Sequence, residues 1–433
     1  MIREKLYRDP IHDLIALDKN SREDRTIIAL IDAQEMQRLR RIRQLGLASL
    51  AFQGAEHSRF THSLGVMWLA TRILGQLSKQ RKLNTRQIFL TRCAALLHDV
   101  GHGPLSHVVE KFLGVHHETW TARILLSPHS EVNRILRQYH PSSPRDIVNI
   151  IEGRATPPFL SQIITSQFDA DRFDYLLRDS AMTGVKYGIY DLERILHILR
   201  LDARGQNIVV ARNGIQPVEK YLQSRYHMYS QVYLHKTVRA AEMMFRLLLK
   251  RGRDLAVKGQ LPVLDSTEPM ARLLLNGSAV EMGDYLDVDD DIVFSSLKRW
   301  RKCKDPILAD LSRRILERRV LKTLDVSKVR NLPHRIRRAK EYLRSNGMDP
   351  DYYFAVDTSG DTPYRPYDPR NPKGSEHILV ETLDRKRPYR DIHEMSEVVV
   401  GLTRAAFTIR RAMFPEFAGK RNLRLEMENI LLG

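Results

Sequence analysis

Residues 85–107 read TRQIFLTRCAALLHDVGHGPLSH. The run from Thr85 to His98 predicts a strongly apolar helix, with Asn84 or Thr85 as its cap and Gly101 where its C-terminus falls. This segment constrains the fold more than any other. A helix so apolar requires a core around it. At its end it delivers His98, Asp99, His102 and His107 into that core's neighbourhood. Imidazole and carboxylate groups are costly to bury unless they are paired or bind a metal.

Helical periodicity dominates the rest. Residues 35–44 place Met36, Leu39 and Ile42 at one spacing, and residues 59–78 keep Phe60, Leu64, Met67, Trp68 and Leu74 near one face. Residues 161–182 and 216–250 also predict helices. Strand signals are few. Residues 206–214 (QNIVVARNG) predict a small β-hairpin arm, and 351–359 and 377–383 predict strands. Between those two lies DTPYRPYDPRNPKG, a Pro-rich loop. No repeat of about 20–50 residues is present. The expected fold class is mainly α: a helical bundle over 1–320 with a small β-hairpin, then a smaller α+β lobe over 321–433 closing on a helix near 387–414.

The chain has 433 residues and a net charge of +18. Such a balance suits a polyanionic partner, a nucleotide or a nucleic acid, as well as it suits a solvated basic surface. Residues 298–344 concentrate it, with 17 Lys and Arg against 5 Asp and Glu. The preceding DYLDVDDD (284–291) lacks the spacing of a calcium loop and reads as a helix start or a solvated turn. Cys93 and Cys303 alone argue against a disulfide framework or a Cys-rich zinc site and suit a reducing cytoplasm. No run of about 18 apolar residues predicts a membrane span. The N-terminal MIREKLYRDP lacks the apolar stretch of a secretory signal. A cytoplasmic protein without a membrane partner is expected.

The chemistry-bearing residues are spread over separate predicted helices. His62 lies in SRFTHSLG, His98 and Asp99 are adjacent, and Asp171 lies in QFDADRFDYLLRD. Two imidazoles and two carboxylates form an N,O ligand set that suits a divalent Mn, Fe, Mg, Zn or Ni ion. On a helix, Asp171, Asp174, Tyr175, Arg178 and Asp179 form one polar stripe, which predicts a cleft wall rather than a core face.

These residues carry a resemblance. RDPIHD (8–13), QRLRRIRQLG (37–46), SRFTHSLGV (58–66), LLHDVGHGPLSH (96–107), HHE (116–118), DADRFDYLLRD (169–179) and YLHK (233–236) occur in the order typical of one branch of the HD-domain phosphohydrolases. That branch is the deoxynucleoside triphosphate (dNTP) triphosphohydrolases, and the chain resembles the catalytic core of the type that joins an SAM domain to the HD domain. The likeness runs from about residue 5 to at least 325, and no SAM domain is expected before it.

The resemblance implies that His62, His98, Asp99 and Asp171 hold the metal. It implies catalytic roles for His117, with Glu118 as its partner, and for His102. It assigns Arg59, His102, His107, Arg172, Tyr175 and Arg225 to the triphosphate. Gln44 and Asp179 would bond the sugar 3′-hydroxyl, while Leu45 and Tyr233 would wall C2′ against a ribose. The alternative for His107 is a helix cap or a residue supporting the ligands from behind, and for Tyr233 a plain core aromatic. Lys5, Asp32, Gln37 and Arg40 match a regulatory nucleotide site of the resembling enzymes, where a guanine nucleotide promotes a tetramer. Arg8, however, replaces an asparagine there, and Gln37 and Arg40 read equally as a solvated helix face. A homo-oligomer, dimer or tetramer, with allosteric activation is implied. Two other readings compete. One is an HD-type nuclease or phosphohydrolase acting on another nucleotide or on nucleic acid. The other is a non-enzymatic nucleic-acid-binding module.

Overall fold

The Arg59–Ser78 and Thr85–Leu97 helices pack side by side at the centre of the chain. Their apolar residues explain why. From Phe89 to Leu97 every residue of the second helix is buried, so no face is left for solvent. Its cap is Asn84, whose side chain accepts from Arg86 N at 2.8 Å. The Ala170–Thr183 helix lies across the first, and it ends at Gly184 with φ 79°, the left-handed C-cap conformation glycine permits. This computed structural model describes residues 3–105, 107–263, 267–361, 377–404, 407–416 and 421–433.

Strands are small and peripheral. An N-terminal antiparallel hairpin pairs β1 (Glu4–Asp9) with β2 (Asp13–Asp18). The expected arm at 206–214 is β4 (Ile208–Val210), antiparallel to β3 (Leu199–Leu201). Strands β5 (Lys322–Asp325) and β6 (Ala355–Asp361) follow, then β7 (Leu379–Glu381), β8 (Tyr389–Asp391) and β9 (Phe407–Phe414). One sheet has the order β3-β4-β7-β8 and another β5-β9-β6. The mainly α fold class with small β elements holds. The Pro-rich loop at 361–374 lies almost wholly outside the described residues.

Four expected helices differ from the structure. Residues 35–44 form only Gln34–Arg38 followed by a 3-10 turn, Leu39–Arg41. The 161–182 helix is interrupted between Phe159–Gln162 and Ala170–Thr183, because Asp169 caps a new helix start. The 216–250 helix divides into Ile215–Met228 and Lys236–Val257 around a π turn at Tyr229–Tyr233. The final helix expected at 387–414 is instead β8, a Glu397–Arg404 helix and β9. Strand pairing decides that last case, since β9 is bracketed by β5 and β6, antiparallel to both.

Two large hydrophobic cores form among the described residues, beside a small cluster of Ala48, Ala55 and Val238. One surrounds the central helices and includes Ile378, Val380 and Leu402; the other spans Met244, Leu248, Leu297 and Leu311 together with Phe354, Met413 and Met427. Packing therefore crosses residue 320 in both cores. The acidic 284–291 segment is a helix start, as expected, but two of its carboxylates are buried. Asp289 caps Asp290–Trp300 and takes Arg41, and Asp290 accepts from the backbone N of Leu105 and Arg43, both at 2.9 Å.

Candidate active site

Three helix ends meet at one buried point. The Thr85–Leu97 helix ends at His98, whose Nδ1 contacts Ala95 O at 2.8 Å. Nδ1 is therefore the donor, and Nε2 faces the carboxylates of Asp99 and Asp171. Asp99 follows. His62 comes from the first turn of Arg59–Ser78, and its Nδ1 lies 2.8 Å from Asp174 Oδ2, which turns Nε2 toward Asp171. Asp171 comes from the first turn of Ala170–Thr183.

The facing atoms converge. His62 Nε2 is 3.1 Å from Asp171 Oδ1 and 3.9 Å from Asp99 Oδ2. His98 Nε2 is 3.4 Å from Asp99 Oδ1 and 3.7 Å from Asp171 Oδ1. A cation with ligand bonds near 2.1 Å holds adjacent donor atoms about 3–3.5 Å apart, so this spacing suits one. Both Nε2 atoms are buried and have no well-oriented hydrogen-bond partner among the described residues. Burial lowers the His62 pKa, but its contacts with Asp171 and Asp174 outweigh that and push it up to about 10. Burial likewise lowers that of His98, and Asp99 and Asp171 raise it overall. Burial would raise the Asp99 carboxyl, yet His98, His102 and Arg59 hold it well below the usual range. The point attracts positive charge, and His62, His98 and Asp99 could hold a divalent metal there. Asp99, His102 and His117 form a second such group.

The polar cluster opens into a cleft of about 400 Å³. Arg59, Asp99, His102, His117, Asp171 and Arg172 line one part of it. Gln44, Leu45, Tyr175, Asp179 and Tyr233 line the rest. Arg59 pairs with Asp99. His102 and His117 stack with centroids 3.8 Å apart, and His102 Nε2 is 3.3 Å from Asp99 Oδ1. Burial, reinforced by Arg59, holds His102 well below the usual histidine range, so its ring is neutral. Asp179 Oδ1 is 2.8 Å from His57 Nε2, and Tyr233 OH donates to Asp179 Oδ2 at 2.8 Å.

The structure corrects two assignments, the partner of His117 and the single polar stripe. His117 Nδ1 lies 3.0 Å from Glu110 Oε2, whereas Glu118 is exposed. His117 opens its helix, so Glu118 points about 100° away from it, and the partner comes from the preceding helix instead. Arg225 is buried, 5.6 Å from the Tyr229 ring centre, and its charge acts on the cleft residues Tyr175 and Arg172. The polar stripe divides. Asp171, Tyr175 and Asp179 face the cleft, while Asp174 and Arg178 are fully buried against the Arg59–Ser78 helix. The His107 side chain lies outside the described residues.

The four regulatory candidates gather on one surface patch. Lys5 Nζ sits 5.7 Å from the Tyr7 ring centre. Burial raises the Tyr7 pKa to about 12; Asp32 raises it further and Arg40 lowers it, so both face Tyr7. Arg40 Nε donates to Gln37 Oε1 at 2.8 Å and lies over Phe60. Residues that sequence reasoning left aside are Asp9, His12, His57 and Glu110. Of these, Asp9 and His12 belong to RDPIHD (8–13).

Helices that bring a histidine, a His-Asp pair and an aspartate to one buried point define an HD-type helical domain. The sequence matches the HD domain family over residues 59–179 and the HD associated region over 190–260. A Bacillus subtilis protein, YwfO, is 35% identical over 414 residues, covering 95% of this chain and 92% of that one. The Dictyostelium discoideum homolog of the deoxynucleoside triphosphate triphosphohydrolase SAMHD1 is 30% identical over 237 residues, covering 50% of this chain and 45% of that one. The crystal structure of a phosphohydrolase from Bacteroides thetaiotaomicron superposes with a TM-score of 0.79 at 26% identity, covering 96% of this chain and 100% of that one. The chain belongs to the HD-domain phosphohydrolases and is related to their dNTPase branch. HD domains bind divalent metals. Among the described residues, no helix is long and apolar enough to cross a membrane.

Proposed function

We propose that this chain is a metal-dependent dNTP triphosphohydrolase that releases deoxynucleoside and triphosphate by attack at the α-phosphorus. One observation carries the reading: Asp99 and Asp171 of the metal-type cluster line the same cleft as Gln44 and Asp179, the pair assigned here to the sugar. Asp171 and Asp179 lie two turns apart on one helix, about 12 Å along its axis. In this reading the phosphate lies toward Asp171 and the 3′-hydroxyl toward Asp179.

In this reading His62, His98, Asp99 and Asp171 hold the divalent ion, which when bound polarises a phosphoryl oxygen and acidifies a water. Arg59 and Arg172 bind phosphate oxygens, a task suited to their planar forks. Neutral His102 contributes a hydrogen bond rather than a charge. Glu110 orients His117 through Nδ1, so proton movement at the phosphate is assigned to Nε2. Asp179 and Gln44 accept and donate to the 3′-hydroxyl, and Leu45 and Tyr233 crowd C2′. The name borne by the slime-mould relative supports the same substrate class. A nucleotide activator at Lys5, Asp32, Gln37 and Arg40 and a homo-oligomer belong to this reading.

The test incubates the full chain with Mn²⁺ or Mg²⁺ and each dNTP, singly and mixed. Triphosphate and deoxynucleoside are the expected products. Pyrophosphate or orthophosphate as sole product refutes the reaction assignment, and activity that appears only in mixtures supports the activator. A basic helix, Leu332–Ser345, exposes Arg337, Arg338 and Arg344 and favours the second reading, cleavage of a nucleic-acid strand. Nuclease activity lost in Asp171→Ala is its signature.

A further inference from the structure

The buried side of the metal-type cluster is made by the N-terminal hairpin. The turn between β1 and β2 is held by Asp9, whose Oδ1 accepts Ile11 N at 2.8 Å and His12 N at 3.0 Å. That turn points His12 inward, with its side chain 1% exposed, and sets His12 Nε2 2.7 Å from Asp174 Oδ1. The other oxygen of Asp174 meets His62 Nδ1 at 2.8 Å. Arg178 spans both oxygens, with Nε donating to Oδ2 at 2.7 Å and Nη2 to Oδ1 at 2.8 Å, and its Nη1 reaches Asp9 Oδ2 at 2.9 Å. The Asp174 carboxylate thus receives four donors, which is its full capacity.

We propose that His12 is a positioning residue of the metal site: it donates to Asp174 and so fixes the carboxylate that orients His62. The inference rests on the reading of His62 as a metal ligand. A carboxylate that orients a ligating imidazole sets both its tautomer and its aim. Asp174 does so for His62, and His12 supplies the donor that the helix bearing Asp174 cannot. Arg178 comes from the same helix as Asp174 and shares its sway; His12 comes from a different element and pins the carboxylate from outside. Two elements distant in sequence thereby converge on one ligand. The hairpin becomes part of the metal site without touching the metal.

The probe is Mn²⁺ alone, titrated calorimetrically into the full chain stripped with a chelator. His12→Met keeps much of the volume and removes the donor; His12→Gln keeps a donor near the position of Nε2. Circular dichroism in chelator checks that each variant is folded. His12→Met is expected to bind Mn²⁺ about tenfold more weakly, as is typical when a partner of a metal ligand is lost, with His12→Gln close to wild type. A folded His12→Met with wild-type affinity overturns the inference. So does a His12→Gln as weak as His12→Met, which makes ring packing the cause. Wild-type protein that binds no Mn²⁺ overturns both the metal reading and this one. Mn²⁺ bound normally with no dNTP cleaved overturns the proposed activity alone.

Discussion

Gly65 sits in the middle of the Arg59–Ser78 helix, where intrinsic propensity alone favours alanine by about 1 kcal/mol. The structure reverses that sign. A Cβ at Gly65 would lie 1.9 Å from Asp174 Oδ1 and 2.5 Å from Arg178 Nη2, where real Cβ contacts essentially never fall under 3.0 Å. The carboxylate must therefore retreat by about 1 Å. Asp174 and Arg178 are both fully buried, so neither has space to give. Bonds of 2.7–2.8 Å from His12, His62 and Arg178 would stretch past the hydrogen-bond limit, and each charge-assisted bond is worth about 1.5–3 kcal/mol. Losing two of the four costs about 3–6 kcal/mol, so after the gain in propensity Gly65→Ala is expected to destabilise by about 2–5 kcal/mol. Urea unfolding followed by circular dichroism measures this, with Mn²⁺ affinity as a second readout that should fall because His62 loses its orienting partner. A Gly65→Ala protein as stable as wild type, with unchanged affinity, refutes the close-approach argument.

Three other outcomes are expected. Glu110→Gln should lower kcat by about tenfold or more through His117, while Glu118→Gln should leave it within about twofold; steady-state kinetics separate them, and the reverse order returns the partner role to Glu118. Tyr233→Phe removes the donor to Asp179 and should cost about 1 kcal/mol, roughly fivefold in kcat/KM for a dNTP, with no change in Mn²⁺ affinity. His102 gives a pH effect. Its folded pKa lies below the unfolded value of about 6.5, so its neutral ring contributes fully above that pH and the contribution is lost as pH falls below it. In chelator, wild type should therefore lose more thermal stability between about pH 7 and pH 5 than His102→Gln; parallel curves refute the buried neutral ring.

Segments whose neighbours are supplied by the chain's own periodicity were legible. The Arg59–Ser78 and Thr85–Leu97 helices follow from the apolar spacing, and Asn84 was readable as a cap. Residues 387–414 were not, because VVVGLTRAAFTIRRAMF satisfies a helix and a strand alike; only the flanking β5 and β6 choose the strand for β9. The N-terminal hairpin escaped notice because its six-residue strands alternate weakly and one face is solvent.

The sequence by itself determined which donor types gather at the site. Two imidazoles and two carboxylates, each near a helix end, admit little chemistry besides holding a cation or a proton. It also determined the helical scaffold, since burial of so apolar a helix permits no open alternative. Tertiary structure alone decided direction. A helix turns about 100° per residue, so Glu118 leaves His117 while Glu110, from another helix, meets it. For the same reason Asp174, three residues from Asp171, faces the back of His62 rather than the cleft. Which neighbour a polar side chain finds depends on elements far away in sequence, and no local pattern encodes that.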